Sequence, residues 1–224
     1  MSAQGGAPTR VVSTVGPVLI IGSGLLGASL GLALRAGGVD VYLEDVSPTS
    51  LRLASDVGAG VPFGDVIAEA GVGNGDEGTD GDGYEAPRIV VVATPPDVAD
   101  RAIVDSLVRF PDAIVTDVAS VKDAVVADVL ATLEDRGLED AAQRYVGSHP
   151  MAGRERSGAG AADADLFYGR PGGIVAHEST WPRAGWGEAA AGDGARLGGG
   201  CIAGRRCCLR GLLDVGLRVT RQAG

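Results

Sequence analysis

Val18-Leu19-Ile20-Ile21-Gly22-Ser23-Gly24-Leu25-Leu26-Gly27 is the stretch on which the fold turns. Its first four residues form an apolar, partly β-branched run of the kind a parallel sheet buries on both faces. Gly22 ends that run, and Leu25 to Leu34 has the alanine and leucine content of a helix that stops near Gly37-Gly38. Gly22, Gly24 and Gly27 fill the three glycine places of G-x-G-x-x-G. The pattern alone is weak. Between a buried strand and a helix it becomes strong when an acid closes the next strand, and Asp45 lies 23 residues after Gly22.

Each residue of the motif has a physical task. Gly22 permits a tight turn, Gly24 lets a pyrophosphate approach the backbone of Ser23, Leu25 and Leu26, and Gly27 lets helix pack close to strand. The helix N-terminus offers unpaired N–H groups and the positive end of its dipole to phosphates. Asp45 would accept hydrogen bonds from ribose hydroxyls, and its charge would repel a 2′-phosphate, favouring NAD over NADP. Glu44 is the rival for that role, but along a strand its side chain should point to the opposite face.

Working outward, Val39 to Leu43 reads as the second strand, and Ser47-Pro48 as an N-cap with proline at the first helical position. Ile89 to Ala93 and Ala113 to Thr116 read as further buried strands. After Thr94-Pro95-Pro96, the residues Ala99, Ala102, Ile103, Leu107 and Phe110 recur at helical spacing, and Val126, Val129, Leu130 and Leu133 mark one face of another helix. Tyr145-Val146-Gly147 is a last short strand delivering Ser148-His149-Pro150. Strands alternating with helices predict an α/β, Rossmann-type, mostly parallel sheet covered on both faces.

In such sheets the ligand crevice lies at the carboxyl ends of the strands. That places Thr94 and Pro95, then Ser120 in Thr116-Asp117-Val118-Ala119-Ser120, then His149, at its border. Ser120 also suits an N-cap with Val121 opening the helix, and one hydroxyl serves both purposes. A lone histidine is by default structural. At a strand's carboxyl end, however, imidazole is suited to taking a proton from a hydroxyl while hydride leaves the same carbon.

The net charge of −10 argues against nucleic acid or an anionic membrane as partner. No apolar run is long enough to span a bilayer. Residues 1–16 lack the apolar core of a signal peptide and read as a flexible leader, so a cytoplasmic protein is expected. Gly71 to Pro87, rich in Gly and Asp, is expected to be a mobile surface insertion without calcium-loop spacing. Cys201, Cys207 and Cys208 lack metal-ligand spacing, so free thiols and no metal are expected.

Several quoted stretches together resemble the prephenate dehydrogenase family of tyrosine biosynthesis. They are Val18 to Gly27, Ala93-Thr94-Pro95-Pro96, Thr116 to Lys122, and Gly147-Ser148-His149-Pro150-Met151-Ala152-Gly153. Gly153-Arg154-Glu155-Arg156-Ser157-Gly158 and Asp165 to Pro171 follow in the family's order. The resemblance implies NAD-dependent oxidative decarboxylation of prephenate to 4-hydroxyphenylpyruvate, or of arogenate to tyrosine. It implies that His149 takes the ring-hydroxyl proton as the same carbon gives up hydride, and that Ser120 hydrogen-bonds near that hydroxyl. Lys122 matches too, and packing or phosphate-side electrostatics explains it equally well.

The resemblance covers about Val15 to Pro171, and residues 17–171 are expected to form the NAD-binding domain. The family continues with a helical domain that dimerises. From Gly172 to Gly224 nothing matches: Gly172 and Gly173 stand where a tryptophan and apolar residues belong, and basic residues come to outnumber acidic ones. This Gly-rich tail is expected to be irregular and poorly ordered, with His177, Arg205 and Arg206 solvated. A shifted reading frame, a truncation and a lineage-specific tail all remain open for it. So do a homodimer whose dimerisation domain is not recognisable, and a nicotinamide-binding remnant or regulatory module without turnover.

Overall fold

The computed structural model describes residues 16–71, 85–153, 155, 157–168, 170, 172–175 and 177. The leader up to residue 15, residues 72–84 of the insertion and the tail from 178 onward lie outside the described residues.

Strand β1 (Val18–Ile21) runs into helix α1 (Leu25–Ala36) through the glycine turn. Strand β2 (Val41–Glu44) and helix α2 (Pro48–Asp56) follow. Ser47 caps α2 as its sequence predicts: its Oγ accepts from the Ser50 N–H at 3.2 Å, with Pro48 at the first helical position. A two-residue strand β3 (Val61–Pro62) and helix α3 (Phe63–Glu69) come next, two elements too short to show periodicity in sequence. Then come β4 (Ile89–Val92), α4 (Pro96–Arg109), β5 (Ile114–Asp117), α5 (Lys122–Asp135) and β6 (Tyr145–Pro150).

The strand order is β3-β2-β1-β4-β5-β6, all parallel, with a seventh strand antiparallel at the end. Alternate residues of β1 feed two apolar layers. Val18 and Ile20 pack with α1 residues such as Leu30 and Leu34, whereas Leu19 packs with Ile103, Leu107, Val129 and Leu133 of α4 and α5. In α5 the face is centred on Val125, Val129 and Leu133. Val126 and Leu130, read from sequence as part of it, lie on its half-buried flank. Because the chain crosses from one face to the other between β1 and β4, the loops after these strands part and leave a crevice at their carboxyl ends.

The sheet runs past Pro171, where the sequence placed the end of the domain. Strand β7 (Gly172–Val175) pairs antiparallel with β6, bringing Gly173 opposite His149 and Gly172 opposite Pro150. Correspondingly, β6 extends through Pro150 rather than stopping at Gly147. Between the two strands the chain folds back over the first helices. Ala159, Leu166 and Phe167 are buried beside α1 and α2, and the Asp163 N–H donates to Ser29 Oγ at 3.0 Å. Among the described residues, no helix is long and apolar enough to cross a membrane.

Candidate functional site

The glycine turn is built by close approach. Gly22 has a φ of +102°, and a Cβ there would lie 2.6 Å from the Ala93 carbonyl oxygen, so only glycine fits. At Gly27 a Cβ would fall 1.9 Å from the Gly22 carbonyl oxygen. Gly24 differs: a Cβ there would meet nothing within 4 Å. The protein itself does not require glycine at that position, but a ligand lying on the backbone does.

The surrounding groups agree in character. The Ala28 N–H makes the first helical bond of α1, to the Gly24 carbonyl at 2.9 Å. The N–H groups of Leu25, Leu26 and Gly27 therefore have no helical acceptor, and no side chain caps them. Across the crevice, α4 begins at Pro96 after Pro95, also without a side-chain cap. Ser23 Oγ and Thr94 Oγ1 are buried and lack a hydrogen-bond partner among the described residues. Two helix N-termini and two orphaned hydroxyls beside an open glycine fit the phosphates and amide of a dinucleotide.

Asp45 closes the other end. Its Oδ2 accepts from the Ser23 N–H at 2.5 Å and its Oδ1 from the Ser47 N–H at 2.8 Å, so the carboxylate is fastened to the turn itself. Glu44 turns to the opposite face, where it pairs with Arg109 at 2.8 Å. The Arg109 guanidinium also lies over the Phe63 and Phe110 rings, 5.0 Å from each centroid.

Ser120 follows the end of β5, and His149 lies in the last residues of the adjacent β6, opposite Gly173 of β7. Asp117 of β5 is in register with Gly147 of β6, so the loop carrying Ser120 leaves the sheet beside the last residues of β6, which carry His149. Ser120 is exposed, and it does not cap α5. Val121 is the N-cap residue and the helix opens at Lys122, one residue later than the sequence suggested. The half-buried His149 and Ser120 make no side-chain hydrogen bond among the described residues.

Beneath them lies a buried network that sequence reasoning did not assemble. Asp117, fully buried, accepts from the Ala119 N–H at 2.8 Å, from the Lys122 ammonium, and from the Tyr145 hydroxyl at 2.8 Å. Its carbonyl oxygen accepts from Ser148 Oγ at 2.5 Å. Burial pushes the Lys122 ammonium below its ordinary pKa despite the Asp117 charge, and burial with that charge pushes the Tyr145 phenol well above its own. Of the two open readings of Lys122, packing with charge pairing is the one its surroundings match. The only sequence signal was an acid and a lysine five apart at a strand end.

His177, expected to be solvated, is half-buried instead. Its Nε2 lies 3.2 Å from the Tyr145 carbonyl oxygen, and its ring packs 5.8 Å from the Tyr145 ring. The antiparallel return of β7 puts it there, a non-local pairing that a glycine-rich sequence does not announce.

Comparison with known proteins gives one consistent family. The profile of the prephenate dehydrogenase nucleotide-binding domain matches residues 30–179. That match begins downstream of the glycine turn, so the turn's geometry stands as a separate observation. A relative from Streptomyces niveus named "Probable prephenate dehydrogenase NovF" is 38% identical over 164 residues, covering 70% of this chain and 37% of the relative. A prephenate dehydrogenase from Aquifex aeolicus, solved in complex with hydroxyphenyl propionate and NAD+, is 26% identical with a TM-score of 0.56, covering 73% of this chain and 51% of that one. A Synechocystis arogenate dehydrogenase at 24% identity, with a TM-score of 0.56 and coverage of 74% and 51%, shares the fold. The chain thus spans just over a third of the curated relative and about half of these solved structures.

Proposed function

The chain belongs to the prephenate dehydrogenase family through its nucleotide-binding domain, and from that premise we propose that it binds NAD in the Gly22–Gly27 crevice and serves the oxidative decarboxylation of prephenate, with arogenate as the alternative substrate. The observation that carries the reading is the placement of Ser120 and His149 at neighbouring strand ends beside an open glycine turn.

In this reading the N–H groups of Leu25, Leu26 and Gly27 hold the pyrophosphate, and the Asp45 carboxylate holds the ribose hydroxyls. Thr94 Oγ1 and the Pro95 turn border the cofactor on the side of α4. Bound NAD supplies the acceptor for hydride. His149 takes the proton of the ring hydroxyl as that carbon becomes a carbonyl, and Ser120 donates a hydrogen bond to the same oxygen. Carbon dioxide leaves with its bonding electrons left in the ring, which becomes aromatic and makes the reaction run forward. Both reactive side chains are free to act, since neither is tied to another side chain among the described residues.

The second reading is a nicotinamide-binding module without turnover of its own, since what the described residues build is the nucleotide-binding domain. Cofactor reduction assayed with prephenate and with arogenate separates the two. Turnover with either substrate establishes the enzyme and names its substrate. NAD binding without turnover establishes the module, and the absence of both removes the proposal.

A further inference from the structure

Asp117 makes more fixed hydrogen bonds than a strand end requires. Its carboxylate holds the N–H of Ala119, the residue immediately before Ser120, and its carbonyl holds the hydroxyl of Ser148, the residue immediately before His149. The second carboxylate oxygen reaches across to the Tyr145 hydroxyl on β6. Stability alone does not explain a fully buried carboxylate with a nearly buried lysine, because well-packed apolar residues of similar size generally serve as well or better.

Resting on the catalytic reading of Ser120 and His149 above, we propose that Asp117 is a positioning residue that fixes these two side chains relative to one another. It acts through directed hydrogen bonds rather than through its charge. The end of β6 is held on its far side by the ladder with β7, and on the near side the Asp117 carboxylate joins it, through Tyr145, to the loop that carries Ser120. The proposal therefore separates shape from charge. Asp117→Asn with Lys122→Met removes both charges but keeps an acceptor for the Ala119 N–H, and its amide donates to a Tyr145 hydroxyl turned to accept. Asp117→Ala with Lys122→Met removes the charges together with the carboxylate's bonds to Ala119 and Tyr145, and leaves the backbone carbonyl that accepts from Ser148.

The test uses the full chain with NAD. In the Asn/Met pair kcat should stay within about threefold of wild type, since the positioning bonds survive. In the Ala/Met pair it should fall by about 10²-fold, the scale of a displacement near 1 Å. NAD affinity should be unchanged in both. Equal turnover in the two pairs overturns the proposal. If the wild-type chain turns over neither substrate, the functional reading has failed separately, and the NMR signal of the His149 ring decides instead. It should be single and sharp in wild type and Asn/Met, but broadened or multiple in Ala/Met; an unaltered signal in Ala/Met overturns the proposal. Should Ala/Met not fold, Tyr145→Phe removes only the carboxylate's bond to β6 and must lower kcat or broaden the same signal, and no effect on either is equally fatal.

Discussion

The Asp45 carboxylate lies 2.5 Å from the backbone nitrogen of Ser23, so the acid that would select the cofactor also braces the turn that would hold it. Asp45→Ala should therefore do two things. NAD affinity should drop by about tenfold or more, the scale of losing hydrogen bonds to a charged group. The NAD-to-NADP affinity ratio should fall as well, because the charge that repels a 2′-phosphate is gone. Titration with both nucleotides checks this, and a ratio that does not move places the discrimination on another residue.

The three glycines of the turn should respond differently to substitution. Gly27→Ala forces a Cβ against the Gly22 carbonyl, a backbone atom that cannot swing aside. It should lower the Tm by about 2–12 °C, from roughly 1–3 kcal/mol of overpacking in a chain of this size. Gly24→Ala meets no atom within 4 Å and should leave the Tm alone. Thermal unfolding of the two variants, without nucleotide, reads this directly; equal losses would mean the turn is packed otherwise.

Where turnover is observed, His149→Ala should lower kcat by about 10²- to 10⁴-fold, the range for loss of a general base, with NAD affinity hardly changed. Ser120→Ala should cost less, since it deletes one hydrogen bond and leaves the base in place. A His149→Ala chain with undiminished kcat would assign the proton to a different group.

Tyr145 gives a prediction in alkaline solution. Burial first, and the Asp117 carboxylate second, hold its phenol above the ordinary value of 10.0, so folding favours the protonated form. That contribution is fully present below about pH 10 and is lost as the unfolded phenol ionises above it, at roughly 1.4 kcal/mol per pH unit. Lys122, shifted downward, works in the opposite direction but is common to wild type and Tyr145→Phe. The stability difference between those two chains should thus narrow steadily above pH 10 in denaturant titrations. A difference that stays constant there would show that Tyr145 already ionises in the folded state.

What could be read from the sequence was local. The turn from Ile21 to Leu25, the Ser47-Pro48 cap and the acid after β2 each depend on neighbours a few residues away, and their chemistry is visible in the residue types. Strand β7 was not legible, because Gly172-Gly173 carries no apolar alternation and the strand exists only through its pairing with His149 and Pro150. The ties of Asp117 to Tyr145 and Ser148 were hidden for the same reason: they join β5 to β6 across 28 and 31 positions. Of the two roles that serine at 120 suits, cap and crevice, the chain gives the cap position to Val121 and leaves the hydroxyl at the surface.

The central claim is that the Gly22–Gly27 crevice holds NAD, and calorimetric titration of NAD into wild-type and Gly24→Val chains tests it most directly. The valine side chain would project from a residue of ordinary φ, −72°, into the space left open at Gly24, so the fold should survive. Wild type should bind NAD and the variant should not, with equal Tm values for the two chains in the absence of nucleotide. A folded Gly24→Val chain that binds NAD as tightly as wild type would contradict the account.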